Sequence, residues 1–72
     1  MSQYEEIKKK VEDYGKSCPL SGTDGDGNPI IISEGRNRES GHFYEVQTAQ
    51  SNGWLRTNTY YENGDTEETF DR

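Results

Sequence analysis

Two Asn-Gly pairs, Asn52-Gly53 and Asn63-Gly64, constrain this chain more than any other feature. Each stands between runs rich in aromatic and β-branched residues. Asn-Gly favours a two-residue type I′ hairpin turn, because both residues tolerate positive φ and the turn's twist matches that of its strands. Residues 42–72 therefore read as a three-stranded antiparallel meander, with strands over about 42–50, 54–62 and 65–71.

Two-residue turns also set a register. Tyr44 then faces Tyr61 and Val46 faces Thr59, while beyond the second turn Thr59 faces Glu68 and Thr57 faces Phe70. Opposed residues share a face. One face collects Tyr44, Val46, Leu55, Thr57, Thr59, Tyr61 and Phe70, and is the expected core, with Glu68 falling on it at the open end. The other collects Phe43, Glu45, Gln47, Ala49, Trp54, Arg56, Asn58, Tyr60, Glu67 and Thr69. The assignment depends on the turn length, since a one-residue slip turns a strand over.

Upstream of the meander, Ser2 with Glu5 three residues on has the form of a capping box. Tyr4, Ile7, Val11 and Tyr14 recur at helical spacing, and Gly15 suits a helix end. A helix is predicted over about 3–14. Residues 15–29 are rich in turn-formers and read as loop, with Pro19 and Leu20 tucked against the helix end. Ile30, Ile31 and Ile32 predict a short strand over 30–33, entered through Pro29 and able to pair at either sheet edge. Residues 34–41, carrying Arg36 and Arg38, connect it to the meander. The expected fold is α+β: one domain over 1–72, with an N-terminal amphipathic helix on one face of a four-stranded antiparallel sheet, αββββ.

Composition limits what such a domain does. Fourteen acids against eight Lys and Arg give a net charge of −6. An acidic surface disfavours direct binding to nucleic acid or an anionic membrane and suits a basic protein partner. Leu, Ile, Val and Phe number ten, so the five Tyr and one Trp must supply much of the buried area. A single Cys18 excludes an internal disulfide, and no run is apolar enough to span a membrane or form a signal peptide. A soluble, cytoplasmic protein is expected.

No catalytic constellation is visible, and no enzyme is expected. His42 is the sole His, and nothing orients it towards Cys18. Gly22, Gly25 and Gly27 lead into Asn28-Pro29 and a strand, whereas a phosphate loop leads into a helix. Asp24, Asp26 and Asn28 open like an EF-hand loop, but Pro29 replaces its Gly and Gly35 stands where a bidentate Glu belongs. The segment is read as a turn; no metal or cofactor is assigned.

Two surfaces remain. Phe43, Trp54 and Tyr60, with Arg56 and Glu67, would form an outward aromatic face able to bind a protein or a second copy of the chain, unless the 15–29 loop covers it. Arg56 would stack on Trp54. Glu62, Asp65, Glu68 and Asp71, with Glu67, make the last hairpin acidic, and Glu5, Glu6, Glu12 and Asp13 extend that charge along the helix. In size, acidity and lack of a catalytic motif the chain resembles the small inhibitors that phages and mobile elements encode, anti-CRISPR proteins and DNA mimics among them. The expected function is a non-enzymatic protein-binding module, an inhibitor or adaptor. The resemblance implies an alternative, a DNA-mimic inhibitor of a nucleic-acid-binding protein. A third reading uses the aromatic face for single-stranded nucleic acid or a small ligand. Homodimerisation through a sheet edge or the aromatic face is a further expectation.

Overall fold

The computed structural model describes residues 2–15 and 19–72. Cys18 lies outside them. Helix α1 (Gln3–Tyr14) begins where Ser2 Oγ accepts the Glu5 amide at 3.3 Å, and ends at Gly15, whose amide donates to the Glu12 carbonyl at 3.0 Å. Five strands follow: β1 (Leu20–Thr23), β2 (Pro29–Asn37), β3 (Gly41–Ala49), β4 (Leu55–Tyr61) and β5 (Thr66–Asp71). They form one antiparallel sheet in chain order, so the fold is α+β.

The fifth strand comes from the segment read as loop. Asp24 Oδ1 accepts the amides of Asp26 at 2.9 Å and Asn28 at 2.8 Å, which closes the turn-formers into a hairpin. Leu20 thereby returns opposite Ile32. The Ile30–Ile32 run is an interior part of β2, paired on both sides, and β2 runs on to Asn37. The sheet edges are β1 and β5. The described part of the expected covering loop thus extends the sheet sideways, leaving the outer face open.

The turns differ from expectation in one way that matters. The Gln50 amide donates to the Trp54 carbonyl at 3.0 Å, and the Gly53 amide to the Gln50 carbonyl at 3.1 Å. Gly53 has φ 89°, and no residue other than glycine has positive φ among those described. This is a three-residue loop, a type I turn closed by a left-handed glycine. The second Asn-Gly turn repeats it, with Tyr61 to Asp65 and Gly64 to Tyr61 both at 2.9 Å and Gly64 at φ 96°. Asn52 and Asn63 act through their side chains, whose Oδ1 atoms accept the amides of Trp54 at 3.0 Å and Asp65 at 2.9 Å.

The extra loop residue moves the register by one. Tyr44 faces Tyr60, and Phe43 faces Tyr61. Strand β4 is therefore turned over relative to the expectation. Arg56, Asn58 and Tyr60 share the helix-covered face, while Leu55, Thr57, Thr59 and Tyr61 share the other. The second slip cancels the first, so Phe70 remains on the helix side and Glu67 on the outer side.

Tyr4, Val11, Leu20, Ile32 and Tyr44 are buried, with Ile7, Ile30, Val46 and Tyr60 packed against them. At roughly 1.5–3 kcal/mol for each buried side chain this is a modest core. The helix lies over β3 and β4 and stops short of the sheet margins. Tyr14, expected in the buried stripe, is accordingly 62% exposed, and Phe70, expected in the core, is 53% exposed. No helix of the described residues is long and apolar enough to cross a membrane.

The turn geometry makes a specific prediction. Gly53→Ala and Gly64→Ala should each lower unfolding free energy by on the order of 1–2 kcal/mol, since each forces a side chain into the left-handed region. Asn52→Asp, which keeps the side-chain acceptor, should change it by less than about 0.5 kcal/mol. Urea titrations of the three variants check this; a type I′ turn would instead make the Asn position the sensitive one.

Candidate functional site

The sheet has two unlike faces, and the residues expected to bind together are divided between them. Among the described residues no element packs on the outer face. There Phe43 and Tyr61 form a pair, ring centroids 5.6 Å apart at 57°. Gly35, opposite Phe43 in the ladder, makes room for the ring: a Cβ there would come 2.5 Å from Phe43 Cζ. Further along the same face, beyond the Ser33–Glu45–Thr59 row, the register places Ile31 and Thr57 on either side of Gln47, and Leu55 opposite Ala49, with Ile31 48% exposed.

The charges on the outer face have one sign. Alternation places Glu45, Glu67 and Asp71 there, and no Lys or Arg of the five strands. Glu45 and Glu67 flank the buried Thr59 on either side in the ladder. Desolvation pushes the Tyr61 phenol above its ordinary pKa, followed by the Glu67 carboxylate, to which it is hydrogen-bonded, and by Glu45 and Asp65. The outer face thus carries an aromatic pair at one end and Ile31 and Leu55 towards the other, with the carboxylates of Glu45 and Glu67 in the row between them.

The other members of the expected aromatic face lie elsewhere. Tyr60 is on the helix side, half-buried against the core, and desolvation raises its pKa. Arg56 is also on that side. The partner of Trp54 is Arg72, whose guanidinium carbon lies 4.8 Å from the indole centroid. Of the acidic set, Glu68 is on the helix side beyond the reach of α1, where its carboxylate accepts from Asn58 Nδ2 at 2.9 Å. Glu62 accepts the His42 amide at 3.0 Å, and Asp65 accepts from Asn63 Nδ2 at 3.1 Å within the turn. Asp71 faces outward opposite Leu55.

Sequence reasoning gave His42 no partners, yet it anchors the helix to the sheet. Its ring stands at 86° to Tyr44 with centroids 4.7 Å apart, and at 78° to Tyr4 with centroids 5.9 Å apart. The Tyr4 hydroxyl is 2.8 Å from His42 Nδ1, and Glu34 Oε1 is 3.5 Å from His42 Nε2. A carboxylate beside Nε2 favours the proton there, which leaves Nδ1 to accept from the phenol. Desolvation, then Glu62, raises the Tyr4 pKa, with Glu34 adding to the effect and Arg36 opposing it. The alternation of β3 with the Tyr4 position was enough to bring these residues together, but only once the helix was known to cross β3 at this end.

Beside α1 the same face opens into a groove of about 480 Å³. Ile7, Leu20, Ile30, Ile32, Val46 and Tyr60 supply its apolar lining. Arg56 lines it too, and its Nε is shut off from solvent with no hydrogen-bond partner. An unpaired buried donor of this kind costs roughly 1–3 kcal/mol. Asp24, at the β1–β2 end, is held below the usual carboxylate pKa first by the Asn28 amide and also by the Asp26 amide and the Arg56 charge. Among the described residues no three His, Cys, Asp or Glu gather as a metal-binding group. No family model, curated protein or solved structure matches the chain.

The anchor yields a pH-dependent prediction. Tyr4→Phe keeps the ring packing and loses the hydrogen bond to His42, so it should lower stability by about 1 kcal/mol at pH 7. Because the folded-state pKa of Tyr4 is raised, its contribution is complete below the unfolded value near pH 10 and is lost as pH rises through the folded value. The gap between wild type and Tyr4→Phe should therefore close above about pH 10 in denaturant titrations. A gap that is constant with pH would contradict the buried phenol.

Proposed function

We propose that the chain is a non-enzymatic protein-binding module, an inhibitor or adaptor, whose outer sheet face docks on a basic surface of a protein partner. One observation carries this reading: Phe43, Tyr61, Ile31 and Leu55 lie on an open face whose only strand-borne charges are Glu45, Glu67 and Asp71. Aromatic residues supply contact area at small entropic cost, and carboxylates around them select a partner of opposite sign and speed its approach. The partner-binding role thus moves from Trp54, Arg56 and Tyr60 to Tyr61, Ile31 and Leu55, while Phe43 and Glu67 keep it.

Edge strand β5 favours a more specific version. Glu67, Glu68 and Asp71 line it, all exposed and without a Lys or Arg within the strand. A groove that normally holds DNA phosphates would accept such a strand, so a nucleic-acid-binding protein is the alternative target. Salt separates the two versions. An interface centred on Phe43 and Tyr61 should keep most of its affinity at ~0.5 M salt, whereas one built on β5 carboxylates should lose it steeply.

The test is capture of partners by the wild-type chain and by two double variants, each checked for folding. Phe43→Ala/Tyr61→Ala should reduce capture by at least about tenfold. Glu5→Gln/Glu12→Gln on the helix should leave it unchanged. The absence of any partner for folded wild type, or capture indifferent to the outer-face pair, would overturn the proposal.

A further inference from the structure

The groove beside α1 carries an inference independent of the outer face. We propose that it binds a small amphipathic anion, an alkyl carboxylate whose chain lies along Ile7, Ile30, Ile32 and Val46 and whose carboxylate pairs with the Arg56 guanidinium. The volume, about 480 Å³, lies within the range of small-molecule pockets and exceeds any ordinary packing void. The lining is apolar along the sheet and polar at the Arg56 end, the division an amphipathic ligand requires.

Charge selects the sign of the ligand. Lys10 and Arg56 line the groove against a single carboxylate, Asp24. The Asp24 oxygens are already engaged, accepting the Asp26 and Asn28 amides and, at 3.4 Å, Asn28 Nδ2. Among the described residues no carboxylate forms an ion pair with Arg56. In a chain of net charge −6 this is a local positive site. A polyanion would meet the acidic surface around it, but a ligand carrying one charge would not. A carboxylate oxygen in the groove would accept from the terminal N–H groups of the Arg56 guanidinium, and charge-assisted hydrogen bonds of this type are the strong ones.

The test is a two-dimensional amide NMR titration of the whole chain with octanoate, and separately with octanol and octylammonium, which match its chain but not its charge. Octanoate should give saturable shifts at Ile7, Ile30, Ile32, Val46 and Arg56, and bind at least about tenfold more tightly than octanol, the margin that a hydrogen bond to a charged group supplies. Octylammonium should bind no better than octanol. Arg56→Gln should bring octanoate down to the octanol level. If that variant does not fold, the ratio of octanoate to octanol on wild type decides. Equal binding of octanoate and octanol, shifts centred on Phe43 and Tyr61, or no saturable shift at all would overturn the proposal.

Discussion

The left-handed glycine that ends the loop in three of the four hairpins is the constraint on which the rest of this structure depends. Gly27, Gly53 and Gly64 take positive φ at the end of three-residue loops. A loop of that length sets which residue of one strand meets which residue of the next, and the parity of that pairing decides the face on which every side chain of β4 emerges. With only five buried apolar side chains among the described residues, no large core is available there to impose a different register. Local turn geometry therefore has unusual authority over the distribution of chemistry across the sheet.

Two faces of different character follow. On the inner face, Tyr4, His42 and Tyr44 clasp the helix start to β3. The helix is too short to cover five strands, so β5 is left bare and a groove opens alongside, with Arg56 as its cation. On the outer face, Phe43 lies over Gly35 and against Tyr61, and carboxylates are the only charges that the strands present. Each face is left incomplete by the same shortage of covering structure. That shortage is why the chain presents two candidate recognition surfaces.

Much of the fold was legible. The Ser2 cap, the spacing of Tyr4, Ile7 and Val11, and the Asn-Gly pairs gave a helix against an antiparallel sheet, because these signals are local. The fifth strand was hidden because Leu20–Thr23, LSGT, has neither alternation nor β-branched bulk; its place comes from the Asp24 turn, which returns it to Ile30–Ile32. The register was misread because Asn-Gly serves two turn types. In one, both residues adopt positive φ; in the other, Asn accepts a hydrogen bond through its side chain and Gly alone turns. Sequence does not choose between them, and the choice moved Tyr60 and Arg56 inward and Tyr61 outward. Phe43 and Glu67 survived as outer-face residues because β3 kept its own alternation and the two shifts cancel at β5. Trp54 with Arg72 was missed because both lie at the ends of the paired segments, where facing depends wholly on register.

The register of β4 against β3 is the claim on which both surfaces stand, and cross-strand nuclear Overhauser effects measure it most directly. The account predicts contacts that place Phe43 opposite Tyr61, Tyr44 opposite Tyr60 and Glu45 opposite Thr59. Pairing of Tyr44 with Tyr61 and of Val46 with Thr59 would contradict it, returning Tyr60 and Arg56 to the outer face and removing the cation from the groove.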